Sequence, residues 1–307
     1  MDKRIVISGG TGLIGKKIIS RLKYKGYSVT ILTRNKRPAE KIISQDIESV
    51  EWDYSKPTEL LTEIISGCEA VINLAGASIA GRRWNHEYKK LIYDSRVLTT
   101  QKISEAISLC KEKPLSFVSA SASGYYGFDG EEQLTEDSTA GSDFLAKVCK
   151  DWERAAYEAE RSGVRTVTVR IAVVLDKNEG ALKKLIAPFK FFLGGHLGSG
   201  KQWFPWIHAD DLADLFLFSI ENKNIRRALN GSAPEQIRNK EFCKILGKII
   251  GRPSILPVPG FMLRLITGEF AKYLLKGRRL VPEKALNSGF IFKYDTCEKA
   301  LKNILDK

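Results

Sequence analysis

KRIVISGGTGLIG, Lys3 to Gly15, joins a short β-branched run to a cluster of glycines. Ile5, Val6 and Ile7 read as a buried parallel strand, apolar on both faces. The run enters Gly9, Gly10, Gly12 and Gly15, then KKIISRLKYKG, whose apolar residues recur at helical spacing. Gly10-x-Gly12-x-x-Gly15 matches the dinucleotide-binding pattern, and Gly9-x-x-Gly12-x-x-Gly15 its variant. The glycines permit a tight turn, close approach to a pyrophosphate and packing of a helix on a strand. The helix start offers free N–H groups and a positive dipole end to phosphate. Gly9, Gly10, Thr11, Gly12, Leu13, Ile14 and Gly15 are therefore expected to hold a nucleotide cofactor. Glycine-rich turns often only reverse a chain, but here strand, turn and helix follow in the order the motif needs.

Tyr27 to Thr33 is the next strand and ends at Arg34. Where the non-phosphorylated cofactor is bound, an acidic residue about 20 positions past the glycines takes the adenosine ribose hydroxyls. Here the residues are Thr33-Arg34-Asn35-Lys36-Arg37. A guanidinium suits a 2′-phosphate, because it brings charge and forked donors together. The expected cofactor is NADP(H), with Thr33 and Arg34 at its adenosine end; the alternative is that Arg34 only opens a solvated loop. Val50 to Trp52 is a third strand, and Asp53 after it either accepts from an adenine amino group or caps a helix. Ala70 to Leu74 is a fourth, running into Ala75-Gly76-Ala77. Small residues at a strand's C-terminal end let a cofactor lie across the sheet edge. That places Asn73, Leu74, Ala75 and Gly76 under ribose and pyrophosphate, the alternative being a plain turn. Gly81 to Lys113 contains a long helix whose Ser95 and Arg96 can turn toward the cofactor.

Pro114 precedes a fifth strand, Leu115 to Ala120, which leads into SASASGYYGFDG, Ser119 to Gly130. Hydroxyls at such an edge can hydrogen-bond a carbonyl or alcohol while a hydride moves to or from its carbon. Ser121, Tyr125 and Tyr126 are the candidate catalytic residues and Ser119 a cofactor contact; the plainer reading is a polar turn. Asp143 to Arg161 is a strong helix with Ser142 or Asp143 as N-cap. Arg165 to Leu175 is a sixth strand. Ala181 to Leu193 is amphipathic, Leu212 to Ile220 an apolar helix, and Ile225 to Pro234 turn-rich. Arg238 to Lys307 is mainly helical, broken at Pro253, Pro257, Pro259 and Pro282. The fold expected is α/β: a Rossmann-type doubly wound parallel sheet over residues 1–235, with part of 176–205 contributing to a substrate cleft. A small, mainly helical C-terminal lobe over 236–307 completes it.

Composition agrees with a soluble globular protein: 307 residues, 43% hydrophobic and 28% charged. No apolar run approaches the roughly 20 residues of a membrane span, and with a strand starting almost at once no signal peptide is expected. Five scattered cysteines without metal-ligand spacing indicate reduced thiols, no metal site and a cytoplasmic setting. The net charge of +13 admits a nucleic-acid or anionic-membrane surface. The basic residues are spread beside Glu and Asp, with short clusters such as Lys276, Arg278 and Arg279. No nucleic-acid or membrane partner is therefore expected, and a homodimer is compatible with these features. A phosphorylated cofactor accounts for a few of the charges.

Strand–GGTGLIG–helix, NLAG at 73–76, SASASGYYG at 119–127, WFPWIHADDLA at 203–213 and ALNGSAPE at 228–235 together resemble the NAD(P)-dependent epimerase/dehydratase family. This is the extended branch of the short-chain dehydrogenase/reductases. The resemblance covers essentially the whole chain and is strongest to atypical "epimerase family" members with a C-terminal domain of unknown function. It implies a Rossmann domain and a C-terminal lobe closing a substrate cleft over the nicotinamide. The wider family pairs a serine after the fifth strand with a Tyr-x-x-x-Lys pair on the next helix. Here Leu145 and Cys149 fall near the Tyr and Lys positions, and Lys147 and Lys150 belong to another helical face. The expected activity is NADP(H)-dependent oxidoreduction of a small carbonyl or alcohol, sugar-nucleotide-like compounds included. The missing pair keeps a non-catalytic NADP(H) sensor as the rival.

Overall fold

The computed structural model describes residues 3–35, 47–128 and 130–306; Lys36 and Arg37 lie outside the described residues. The first half of the chain alternates strands and helices: β1 (Arg4–Ser8), α1 (Leu13–Tyr24), β2 (Ser28–Thr33), β3 (Glu48–Glu51), α2 (Thr58–Ile65), β4 (Ala70–Asn73), α3 (His86–Leu109) and β5 (Ser116–Ala122). Then come β6 (Gln133–Leu134), α4 (Phe144–Tyr157), β7 (Arg165–Ile171), β8 (Val173–Leu175), α5 (Gly180–Lys190), β9 (Trp206–His208), α6 (Ala209–Glu221) and β10 (Arg227–Gly231). The C-terminal part holds α7 (Asn239–Ile250), α8 (Gly260–Thr267), α9 (Ala271–Leu275), β11 (Arg279–Leu280), α10 (Glu283–Asn287) and α11 (Cys297–Ile304).

Seven strands form one parallel sheet in the order β10-β7-β5-β4-β1-β2-β3. Successive side chains of a strand point to opposite faces, and this splits the core in two. Ile5 and Ile7 join the cluster of Ile18, Leu22 and Phe216 from α1 and α6. Val6 joins that of Leu61, Ile65, Ile103 and Ala156 from α2, α3 and α4. Both faces of β1 are thus dry, as a near-continuous apolar run requires. The strand order reverses between β1 and β4, the place where open α/β sheets bind ligands.

Two details of the expected layout are corrected. Ile225 to Pro234 is not merely turn-rich, because β10 within it pairs in parallel with β7 and buries Ala228 to Gly231. Gly, Asn and Ser dominate its later residues and hide the strand from a propensity reading. The sixth strand also stops at Ile171. Ala172 donates its N–H to Gly231 O, and Val173 to Leu175 leaves the main sheet to pair with β9. Leu175, Leu182, Phe189 and Trp206 then share a core with Phe242 and Leu246 of α7 and Leu301 of α11. The segment around α5 therefore packs with the C-terminal helices.

His208 closes β9 and caps α6: its Nδ1 accepts the Asp210 N–H at 3.0 Å, and its ring lies 3.8 Å from that of Tyr294. Burial pushes the imidazole down to about 4, although the Asp210 charge opposes the shift. The unfolded chain takes the proton near 6.5, so between these values the unfolded state is the more protonated one. This group's stabilisation is complete above about pH 6.5 and is lost as pH falls toward 4, about 3 kcal/mol in all. Thermal melts across that window should show the loss, and His208→Asn, which keeps a capping side chain, should flatten it. An unchanged pH slope in the variant would refute the assignment.

Candidate functional site

The glycine turn occupies the switch point between β1 and β4. Gly9 has φ +73°, and a Cβ there would sit 2.8 Å from the backbone C and O of Leu74. At Gly15 a Cβ would sit 2.5 Å from Gly10 O. These are the close strand-to-turn and turn-to-helix approaches that only glycine allows. Gly12 is the N-cap of α1, with no side-chain cap and no acidic residue in the first turn. The positive end of α1 is thus left open to an anion, and Thr11, Leu13 and Ile14 surround it.

At the ends of β2 and β3, Arg34 is exposed, and Thr33 Oγ1 is tied to the backbone of Asn35. Asp53 accepts from the N–H and the hydroxyl of Ser55. Those bonds hold its carboxyl below the usual range, with Arg34 contributing a smaller field. Asp53 therefore shapes its own turn.

Asn73 is fully buried and works as a fastener. Its Oδ1 accepts from the Ser8 hydroxyl at 2.6 Å and from the Ala75 N–H at 3.2 Å. Its Nδ2 donates to Thr100 Oγ1 at 2.7 Å and to Ser119 Oγ at 3.4 Å. One amide thus binds the ends of β1, β4 and β5 to α3 and fixes the turn that carries Leu74, Ala75 and Gly76. Ser95 accepts the Ala77 N–H at 3.0 Å, and a Cβ on Gly76 would sit 3.0 Å from Arg96 Cζ. Arg96 spreads over the Trp152 ring at 5.3 Å and donates to Ile92 O.

The hydroxyls after β5 are distributed differently from their even spacing in sequence. Ser121 is buried and donates to Glu153 Oε1 at 2.6 Å. Tyr126 is fully buried; it accepts from Arg170 and donates to Asn230 Oδ1 at 2.6 Å. Burial pushes its phenol up, more than the nearby Arg170 charge pulls it down. Tyr125 is part-exposed, but Arg170 lies 3.4 Å from its ring centroid. Arg170 and Glu153 form a bidentate pair at 2.8 and 2.9 Å inside the protein. The three candidate hydroxyl residues therefore surround this ion pair. Ser119 bonds Ala120 O, whereas the intervening Ser123 makes no side-chain hydrogen bond among the described residues. No pattern in the sequence marked Glu153 or Arg170, which meet only through the fold.

Where the Tyr-x-x-x-Lys pair would stand, Leu145 and Cys149 face the turn after β5, where a Cβ on Gly124 would lie 3.3 Å from Leu145 Cβ and 3.6 Å from Cys149 Sγ. Lys147 and Lys150 are exposed on the other face of α4. The Cys149 thiol is pushed up to about 12 by burial, with the charge of Glu153 adding to this and those of Arg96 and Arg278 opposing it. It is neutral and brings no charge to the site. The cations near this position are instead Arg96 from α3 and the buried Arg278 from the C-terminal lobe. The lobe also reaches α4 through Tyr273, whose hydroxyl donates to Asp143, the α4 N-cap, at 2.9 Å.

Among the described residues no His, Cys, Asp or Glu cluster is placed to hold a metal ion, and no helix is long and apolar enough to cross a membrane.

A family model described as the NAD dependent epimerase/dehydratase family matches residues 5–230, and a domain of unknown function, DUF1731, matches residues 258–304. A chloroplastic homolog of epimerase family protein SDR39U1 from Arabidopsis thaliana is 40% identical, over 98% of this chain and 86% of its own. Epimerase family protein YfhF of Bacillus subtilis is 38% identical over 98% of this chain and 97% of its own. The crystal structure of human SDR39U1 with NADPH superposes with a TM-score of 0.89 at 32% identity, covering 99% of both chains.

Proposed function

We propose a function from one premise, that the chain belongs to the NAD dependent epimerase/dehydratase family. It binds NADP(H) and interconverts a small carbonyl compound and its alcohol. The observation that carries the reading is the uncapped start of α1, set against Gly9 and Gly15 at the switch point of the sheet. Gly9 to Gly15 hold the pyrophosphate, Asn73 to Gly76 underlie the ribose, and Arg34, with no acidic residue in its place, takes a 2′-phosphate. The NADPH bound by the human relative supports the choice of cofactor. Five free, buried thiols suit a reducing compartment such as the cytoplasm.

Bound NADPH supplies a hydride to the substrate carbon. The substrate oxygen then gains negative charge and needs a donor. Ser121 and Tyr126 are committed to the buried ion pair and the Tyr125 ring is covered by Arg170, so we assign the donor to Ser123, whose hydroxyl makes no hydrogen bond among the described residues. Arg96 and Arg278 supply positive charge beside it, where the family's lysine is absent, and the proton completing the alcohol comes from water. Cationic charge at this end of the cleft favours a substrate with an anionic group, sugar nucleotides included.

The test is the loss of bound-NADPH fluorescence on adding members of a carbonyl panel. At least one member should oxidise the cofactor. Ser123→Ala should then lower kcat about 100-fold with NADPH affinity unchanged. Arg34→Ala should weaken NADPH binding roughly ten- to a hundredfold while leaving NADH binding nearly unchanged. A protein that holds NADPH but never oxidises it across the panel would overturn catalysis and leave cofactor sensing.

A further inference from the structure

The basic residues are spread along the sequence, but the fold gathers two acid-free stretches of it. Residues 180–209 contain four lysines and no Asp or Glu; residues 242–268 contain Lys244, Lys248, Arg252 and Arg264 and again no acid. Leu256 donates its N–H to Gly194 O, Gly198 donates to Val258 O, and the Arg252 guanidinium lies 4.5 Å from the Phe192 ring centroid. These contacts bring the turn after α5 beside the segment that leads into α8.

Both stretches expose large apolar side chains at this meeting point. Phe191, Phe192 and Leu193 are all more than half exposed, and Phe192 is held at φ +62°, a conformation bulky residues avoid. On α8, Phe261 and Leu265 are 70% and 74% exposed, and Met262 and Ile266 lie beside them. Positions i and i+4 share a helix face, so these four residues form one broad apolar face, while Leu263 alone is buried. Soluble surfaces rarely gather this much apolar area without an occupant. Lys190, Arg252 and Arg264 are exposed beside these residues, and the one acid next to α8, Glu269, is paired with Lys89.

We infer that this corner docks on an anionic lipid bilayer, with Phe191–Leu193 and the α8 face entering the headgroup layer and the surrounding lysines and arginines meeting lipid phosphates. Apolar insertion framed by cations is the pattern of interfacial membrane binding. A second copy of the chain fits less well, because pairing this face with itself would set two predominantly basic rims against each other. This is attachment to a surface, for which no spanning helix is needed.

Co-sedimentation of the full chain with vesicles tests the assignment. Vesicles of phosphatidylcholine and phosphatidylglycerol should carry the protein down, pure phosphatidylcholine should carry far less, and salt should weaken the binding. Phe261→Asp/Leu265→Asp should bind anionic vesicles at least about tenfold more weakly, with unchanged circular dichroism and NADPH affinity. Phe192→Gly, which also removes the unfavourable backbone angle, should weaken binding without loss of thermal stability. Absence of sedimentation, equal binding by the variants, or sedimentation equilibrium showing a dimer that the double variant dissociates would each overturn the inference.

Discussion

Glu153→Gln should destabilise the protein by about 3–5 kcal/mol, because it leaves the Arg170 guanidinium buried without its counter-charge. The two side chains are each only 4% exposed, and water cannot replace the lost partner. Burial alone would push Arg170 down, but the bonds and charge of Glu153 outweigh it and hold the cation firmly protonated. The same guanidinium donates to Tyr126 and to Glu136 O, and Tyr126 reaches Asn230, whose amide donates to Val281 O in the C-terminal region. Loss of the pair should therefore loosen β5, α4, β7 and β10 together. Urea unfolding measures the cost, and Arg170→Met should show a loss of similar size. The double variant Glu153→Leu/Arg170→Met should be more stable than either single one, since a buried ion pair replaced by apolar groups is often neutral. A single-variant loss below about 1 kcal/mol would show that the pair is screened or dispensable.

This network also marks how far the sequence could be read. The Lys3 to Gly15 stretch was legible because its logic is local: β-branched strand, glycines and helical period are consecutive, and Gly12 and Gly15 answer to neighbours a few residues away, although Gly9 meets Leu74 and Gly10 meets Ile31. The sheet followed from the same alternation. The surroundings of the hydroxyl cluster were not legible for a physical reason. Ser119, Ser121 and Ser123 are evenly spaced in sequence, but their surroundings differ because Glu153 lies 32 residues beyond Ser121 and Asn230 lies 104 beyond Tyr126. Side-chain roles set at such separations leave no periodic trace. The same holds for Arg278, which approaches Cys149 only because the C-terminal lobe folds back over α4.

Gly15→Ala should abolish high-affinity NADPH binding, with an expected loss of about 100-fold or more. The added methyl would lie 2.5 to 2.6 Å from O, C and Cα of Gly10, all backbone atoms that no rotamer change can move aside. Either α1 shifts away from the turn or the turn opens, and both separate the helix start from the phosphate position that the turn defines. Two other glycines supply the comparison. Gly12 has φ −76°, and a Cβ there would lie 3.4 Å from Gly9 O, so Gly12→Ala should fold like the parent, and any loss of NADPH affinity in it reports the approach of the backbone to the pyrophosphate. Gly26 has φ +80° with nothing within 4 Å, so Gly26→Ala should carry only the left-handed backbone cost of about 1–2 kcal/mol and keep full affinity. Fluorescence titration of the three variants separates close approach from backbone strain as the reason for glycine. If Gly15→Ala binds as Gly26→Ala does, the turn is not the phosphate cradle, and the proposed NADP(H) site loses its central observation.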